Sequence, residues 1–465
     1  MRRMAIPAAR SWLLETLIAS SACALAVVSV TYPALFGIGL ASCVLILAAL
    51  RVDLLLYMIV FCLPLAPLLN TDLAVRDISS LLHYGLFAGL VLSYSFGKTS
   101  FREWLPPNSL NSAIFIYGLI ALLSVVAFNE VNPSSQRALF RLFAYLAFFF
   151  VIVGWVNTPQ QVWNLLTVLM LSTVLVALFG IYQALVGGYG DIYYRLYPLQ
   201  EESVPPWEGR VSSFLFHFNS LAGYLNLILP FCLASIMTST TRWFRGLAAI
   251  CFVLGSLTLV LTQSRGGLIA YAGTVLLAIL LLTESRKARF WLLALFPIGA
   301  LLAILVMGAY AGRLSEVDEF TSSSRLLLFG AAVTLFLSSP IIGIGYGNFK
   351  ELYATIIPVS GGTLDSHNLY LQLLAETGIL GLAAFLVLVV MMVRLAMRQL
   401  RLSVVPLDKI VGFGVLAAIF SVLTHGFVDV LFHTSPQFGA LFWLLLGLLV
   451  AKERLGTSTV PALPA

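Results

Sequence analysis

The sequence predicts an all-α polytopic membrane protein, and two features indicate this class. Of the 465 residues, 60% are hydrophobic and only 10% are charged, whereas a soluble globular domain carries roughly 25% charged residues. Apolar windows long enough to cross a bilayer as helices, about 17–25 residues each, recur along the whole chain. We therefore expect a helical bundle in lipid, and no nucleic-acid partner.

Fourteen apolar windows are candidate spans. Three of them are short or poorly separated, so we expect about 12–14 transmembrane helices. The N-terminal window has the composition of a signal peptide, but Glu15 interrupts it and we interpret it as the first span. The windows lie near residues 13–30, 33–50, 54–69, 78–96, 110–128, 138–156, 162–186, 214–237, 246–263, 266–283, 290–311, 367–395, 410–432 and 437–451.

The positions of the basic residues predict the orientation of these spans. With the N-terminus in the cytoplasm, most of the 26 Lys and Arg residues fall in short cytoplasmic loops, as the positive-inside rule requires. An even number of spans then returns the basic C-terminus to the cytoplasm. The remaining basic residues fall on the opposite face: Arg76, Arg137, Arg141, Arg195, Arg210, Arg265, Arg313, Arg325 and Lys350.

Two long segments outside the spans, 187–213 and 312–366, fall on that opposite face. The second segment contains RLLLFGAAVTLFLSSP, an apolar run too short to cross the bilayer. We interpret it as a helix that lies on, or dips into, the outer surface of the membrane.

Arg265 lies in TQSRGG, where two apolar stretches meet without room for a long loop. Gly266 and Gly267 would permit a tight turn there. An arginine at membrane depth is costly and is a candidate for a functional site. The alternative is an arginine that only extends toward the lipid headgroups.

Further polar residues fall on the same face as Arg265. Arg210 ends the first long segment, Asn219 begins a span, Arg325 begins the surface helix and His367 precedes another span. On that last span a polar stripe follows at every fourth position, which places its members on one side of a helix and away from lipid. The stripe consists of Asn368, Gln372 and Glu376.

This set of side chains suits an anionic, phosphorylated ligand. Arginine binds phosphate oxygens through two parallel hydrogen bonds, and histidine can act as a general base. His425, Asp429 and His433 follow at i, i+4 spacing, for which hydrogen bonding between helices is a better explanation than a metal. We expect neither a metal nor a cofactor, and the sequence carries no ATP-binding motif.

Four stretches resemble the bacterial O-antigen ligase and polymerase superfamily, and they occur in the order GRVSSFLFHFNSLAGYL, LTQSRGG, SRLLLFGAAVTLFLSSPIIGIGYGNF and SHNLYLQLLAETGILGL. LTHGFVDVLF near the C-terminus also fits. The resemblance covers about residues 205–435. It divides the chain into N-terminal spans, 1–200, a catalytic region, 201–435, and a last span with a cytoplasmic tail, 436–465.

The resemblance implies a metal-independent inverting glycosyltransferase with a GT-C-like fold in the bacterial inner membrane. Its donor would be a glycan on undecaprenyl diphosphate, and its active site would be periplasmic. It places the catalytic residues at Arg265, Arg325 and His367 and a further arginine at Arg210, which would bind substrate. We expect Asn219, Asn368, Gln372 and Glu376, from their position on the same face, to bind substrate as well. The acceptor would be lipid A-core, for a ligase, or a second lipid-linked glycan, for a polymerase.

A transporter of lipid-linked sugars is an alternative from another class. Many spans with interior polar residues would suit a flippase as well as an enzyme. Transporters usually carry repeated halves with interrupted helices at matching positions. Here the polar features cluster late in the chain and on one face, which favours the enzyme.

Overall fold

A computed structural model describes residues 52–65, 108–128, 132–186, 210–239 except 216, 241–297 except 296, 315–357 and 365–457. The chain divides into two packing units, Met1–Phe101 and Arg102–Ala465. The described part of the first unit contains α1, Val52–Cys62. The domain boundaries expected near residues 200 and 435 concern function and stay predictions.

The second unit is built from helices, and no strand occurs among its described residues. Seven of its helices are long and apolar enough to cross a membrane. The prediction of an all-α polytopic membrane protein is therefore confirmed. The helices that meet this criterion are α3 (Pro133–Trp155), α4 (Pro159–Val186), α5 (Phe218–Thr238), α6 (Arg242–Leu261), α7 (Arg265–Leu282), α10 (Leu369–Leu402) and α11 (Pro406–His425).

The remaining helices are shorter or less apolar. They are α2 (Asn111–Ala127), α8 (Ser315–Ser338), α9 (Phe349–Ile356), α12 (Leu431–Thr434) and α13 (Pro436–Thr457). The expected count of 12–14 spans stays a prediction, because the windows 13–30, 33–50 and 78–96, and most of 290–311, lie outside the described residues. So does most of the first long segment, 187–209.

Helix α5 lies at the centre of the bundle and is the most buried of the seven long helices. It packs against α6, α7 and α11, while α10 packs against α2, α8 and α11. The beginnings of α5, α7 and α10 and the end of α11 meet through the packing of these helices. The polar residues at these four helix ends therefore reach the same end of the bundle.

Two sequence interpretations are wrong in detail. The turn before α7 is made by Thr262–Ser264, where Gln263 has φ +53°, and Gly266 and Gly267 already lie inside the helix. These glycines serve close packing instead, since a Cβ on Gly267 would lie 2.6 Å from Cβ of Ala222. The window 410–432 is also not one helix, because α11 ends at His425 and Asp429 lies beyond it.

The second long segment contains the expected helix, but α8 begins ten residues before Arg325, at Ser315. The apolar run Arg325–Ser338 is its second half. Placement of α8 on the outer surface stays a prediction.

We expect Gly266→Ala to destabilise the protein. The added methyl group would meet Cγ2 of Val428 and lie 3.0 Å from Cδ2 of His425, and overpacking of this kind costs about 1–3 kcal/mol. Thermal unfolding in detergent would measure the loss. The matched control is Gly246→Ala, also on a helix but with nothing within 4 Å of its Cβ; equal unfolding midpoints for the two variants would contradict the expectation.

Candidate functional site

A chain of hydrogen bonds joins the beginnings of α5 and α7 to the segment after α11. Ser264, the N-cap of α7, donates to Oδ1 of Asn219 over 2.7 Å and accepts from the amide of Gly267. Asn219 in turn donates from Nδ2 to Oδ2 of Asp429 over 2.7 Å. Asn219 and Asp429 are both buried, so the carboxylate is held by partners rather than by solvent.

The other carboxylate oxygen of Asp429 faces His367. Oδ1 accepts from the amide of Val430 over 2.7 Å and lies 3.7 Å from Nδ1 of His367. This separation is too long for a hydrogen bond, but catalytic contacts are often long before substrate binds. The pair therefore has the arrangement of a carboxylate that orients an imidazole.

His367 is also held in an uncommon backbone conformation. Its φ is +53°, in the left-handed region where few residues other than glycine occur. Its side chain is 29% exposed, so the imidazole can reach a ligand. Strained backbone at an accessible polar side chain is typical of functional sites.

Asp429 is a carboxylate throughout the ordinary pH range. Burial raises the pKa of Asp429, but the contact with His367 and the nearby imidazoles of His425 and His217 lower it by more, and the net pKa lies below its usual range. A permanently ionised Asp429 favours a proton on the nitrogen of His367 that faces it. That tautomer leaves Nε2 of His367 able to accept a proton.

Three of the predicted arginines lie near this centre. The guanidinium of Arg210 lies over the ring of Phe218, 4.5 Å from its centroid. Burial lowers the pKa of His217, and although Asp429 raises it, His367, Arg210 and Arg325 lower it again. His217 is therefore neutral near pH 7, and it lies near His367, Arg210 and Arg325, which are predicted to take part in catalysis or substrate binding. Arg265 is exposed at the first position of α7, next to Ser264.

His425 is a buried member of the same neighbourhood. Its side chain is 2% exposed, and neither ring nitrogen has a hydrogen-bond partner among the described residues. It lies close to the position of Gly266, and Asp429 and Arg325 act on it electrostatically. A buried imidazole in this state can donate or accept a hydrogen bond from a ligand.

The polar stripe on α10 binds the segment that immediately precedes this helix. Asn368 is the N-cap of α10 and accepts from the amides of Tyr370 and Leu371. Gln372 accepts from the amide of Ser366 and donates to Asp365 and to Glu376, over 2.9 and 3.1 Å. Gln372 and Glu376 are thus joined side chain to side chain, while Asn368 caps the helix. Together they fix the segment that ends in His367, and their role in binding substrate stays a prediction.

The GIGYG segment packs its backbone against a break in α10. Gly343, Gly345 and Gly347 all have positive φ, as does Gly378 within α10. The amides of Ile344 and Gly345 donate to the carbonyls of Ala375 and Glu376. This stretch is therefore a tight backbone contact, and it brings Tyr346 beside the stripe.

A cavity of about 240 Å³ lies beside the stripe. It is lined by residues of α3, of the segment 346–351 and of the stripe. Neither His367 nor the arginines Arg210, Arg265 and Arg325 line it. Its walls are formed by Ser134, Arg137, Ala138, Arg141, Leu142, Tyr145, Tyr346, Gly347, Lys350, Glu351, Asp365, Glu376 and Phe432.

Sequence reasoning missed the role of two residues. Asp429 was assigned to a helical stripe with His425 and His433, whereas it lies past the helix end and contacts Asn219 and His367. Ser264 was not singled out from the sequence, although it is the N-cap of α7 and donates to Asn219. Within the described residues, no group of three or more His, Cys, Asp or Glu side chains is arranged to hold a metal ion.

Residues 250–386 match the family model described as O-antigen ligase, and no curated protein matches the chain. The matched segment includes Arg265, Arg325, His367 and the stripe, but not Arg210 or Asn219. The resemblance to the O-antigen ligase and polymerase superfamily is therefore confirmed. The match supports glycan transfer of this general type, with lipid-linked glycans and membrane lipid as partners at the level of the family.

Proposed function

On the premise of that family match, we propose that the protein transfers a glycan from undecaprenyl diphosphate to a sugar hydroxyl, with lipid A-core as the acceptor. One observation carries the proposal. The contacts Ser264–Asn219–Asp429 and Asp429–His367 join four separate motifs into one polar centre within a bundle of apolar helices. Such a centre in a membrane protein is characteristic of a functional site.

The reaction is a single displacement. The acceptor hydroxyl oxygen attacks the anomeric carbon and forms the new glycosidic bond, while the bond from that carbon to the diphosphate oxygen breaks. Nε2 of His367 takes the hydroxyl proton as general base. Asp429 orients the imidazole and stabilises its positive charge, and the anomeric centre is inverted.

Arg265 and Arg325 bind the diphosphate and stabilise the charge that develops on it as it leaves. Arg210, whose guanidinium lies over the ring of Phe218, adds a third positive charge near the diphosphate. The buried His425 can donate a further hydrogen bond to it. The diphosphate then lies at the level of the lipid headgroups with its polyprenyl chain in the bilayer. Asn219 acts as a positioning residue, since its amide is engaged by Ser264 and Asp429.

The orientation inferred from the basic residues complements this chemistry. We assign the protein to the bacterial inner membrane with both termini in the cytoplasm and the site on the periplasmic side. The charged residues of the opposite helix ends support the assignment: Lys452 pairs with Asp408, Arg398 with Glu453 and Lys409 with Glu284. The positive-inside rule counts Lys and Arg residues rather than net charge, so the three cations at these helix ends are typical of the cytoplasmic face.

Reconstitution of the purified protein with an undecaprenyl-diphosphate-linked oligosaccharide tests the proposal. One reaction offers lipid A-core and a second offers another lipid-linked unit. A lipid A-core product identifies a ligase, and a longer lipid-linked product identifies a polymerase. Movement of the donor across vesicles without any transfer would instead support the transporter.

We expect transfer to persist in EDTA. The proposed step is carried by arginine and histidine side chains and needs no Lewis acid. Initial rates with and without EDTA, in buffer passed over a chelating resin, would measure the effect. Loss of activity that a single divalent ion restores would contradict the metal-independent mechanism and return attention to His425 and Asp429 as ligands.

A further inference from the structure

The cavity beside the stripe has a different chemistry from the arginine centre. Its deep wall contains Tyr145, Tyr346, Asp365 and Glu376, each no more than 6% exposed. Arg137 and Glu351 are exposed at its rim. The cavity therefore runs from the protein surface to a buried polar floor.

Positive and negative groups in the cavity pair with each other. Lys350 pairs with Asp365 over 2.9 Å. Arg137 donates to the hydroxyl of Ser134 over 3.2 Å, and that hydroxyl donates to Glu351. With three cations and three carboxyl groups, the lining has no net formal charge. A phosphate site needs an excess of donors and positive charge, which this cavity does not offer.

A sugar ring fits this lining better than an anion does. Each sugar hydroxyl both donates and accepts hydrogen bonds, so neighbouring carboxylates and cations suit it. The carbon-bound hydrogens of the sugar ring pack against aromatic side chains. The cavity supplies both kinds of group, with Tyr145 and Phe432 as ring surfaces. Burial raises the pKa of Tyr346 well above its usual value, so its hydroxyl remains a neutral donor and acceptor.

The size of the cavity limits what it can hold. At about 240 Å³ it is smaller than the ~300–1,000 Å³ of pockets that take drug-sized ligands. A single sugar ring would fill it, and a chain of several rings would not.

The floor of the cavity is hydrogen-bonded to the segment that ends in His367. Gln372 donates to both Asp365 and Glu376 and accepts from the amide of Ser366. Asp365 is two residues from His367 in the same short loop. A ring in the cavity would therefore lie next to the ring whose hydroxyl reacts at His367.

We propose that this cavity is an acceptor subsite, which holds the sugar ring adjacent to the reacting one on the acceptor saccharide. Lys350–Asp365, Glu376, Arg141, Tyr346 and the hydroxyl of Tyr145 bind its hydroxyls, and the rings of Phe432 and Tyr145 flank its apolar face. The proposal rests on the proposed function, because it assigns the donor to the arginine centre and the acceptor to the opposite side of the His367 loop.

The experiment uses the reconstituted full-length protein with lipid A-core as the acceptor. The variants are Arg141→Gln, which removes one charged lining group, and Tyr145→Phe, which keeps the ring and removes only a hydroxyl. Arg242→Gln, at the remote start of α6, is the control. We expect Arg141→Gln to raise the acceptor KM at least about tenfold and to leave the donor KM within about twofold. Tyr145→Phe should shift the acceptor KM in the same direction, and the control should shift neither constant.

A second measurement separates the subsite from the transfer reaction. Calorimetry records binding of lipid A-core and, separately, of inorganic diphosphate to the protein without donor. Weaker lipid A-core binding with unchanged diphosphate binding in Arg141→Gln supports the subsite, even if the wild-type protein transfers nothing. A raised donor KM, weaker diphosphate binding, or unchanged lipid A-core binding in both variants overturns it.

Discussion

Replacement of His367 by asparagine should abolish glycan transfer. Loss of a general base typically costs a factor of about 10²–10⁴ in rate, and Nδ1 of His367 lies 3.7 Å from the carboxylate of Asp429. Asparagine is preferable to alanine for the first test, since it tolerates the left-handed φ of +53° at this position and cannot take the proton. Single-turnover rates with saturating donor and acceptor would measure the loss.

The thermal unfolding midpoint of His367→Asn is the control for this prediction. His367 makes no hydrogen bond through Nδ1 and is partly exposed, so its removal should change stability little. His367→Ala should be equally inactive but less stable, because alanine is strained at positive φ. Near-normal turnover in either folded variant would remove His367 from the role of base.

Arg265→Lys should lower the transfer rate by roughly ten- to hundredfold, although the charge is kept. Lysine lacks the planar guanidinium that binds two phosphate oxygens at once, and loss of one charge-assisted hydrogen bond costs about 1.5–3 kcal/mol. Arg265→Ala should lose more, since the diphosphate then lacks that cation altogether. Turnover at saturating lipid-linked donor would measure both losses.

The chain offers a matched control for Arg265. Arg242 is also an exposed arginine at the first position of a long helix, α6, and Arg242→Lys should leave the rate unchanged. If Arg265 only reaches toward lipid headgroups, lysine should replace it equally well. If the activity of Arg265→Lys stays within about twofold of the parent, Arg265 does not bind the diphosphate through its guanidinium, and TQSRGG only marks a helix boundary.

The helices could be predicted from sequence because apolar length alone specifies a span. The window 214–237 corresponds to α5, Phe218–Thr238, and 266–283 to α7, Arg265–Leu282. The polar stripe of α10 was also predictable, because i, i+4 spacing fixes a common face once a helix is assumed. Gln372 does donate to Glu376.

Contacts between distant segments could not be predicted in this way. Apolar residues continue past His425 in HGFVDVLF, so hydropathy alone extends the span to residue 432. The local signal for the end of α11 is Gly426, its C-cap, since glycine commonly ends helices; this signal places Asp429 beyond the helix. The role of Gly266 was misassigned because a glycine in a turn and a glycine under a neighbouring side chain look alike in sequence. The acceptor cavity combines α3 with residues more than 200 positions later, and Arg137 and Arg141 were visible only as basic residues on the outer face.

The bond between Asn219 and Asp429 joins residues 210 positions apart, and this has a consequence for biogenesis. The polar centre can form only after the segment that follows α11 has entered the membrane, late in synthesis. Until then the side-chain amide of Asn219 needs another hydrogen-bond partner in a medium with little water. We therefore expect the incomplete protein to bind membrane-insertion factors. A chain cut in the loop before α10 and expressed as two pieces should recover its chemistry only when both pieces are present in the same membrane.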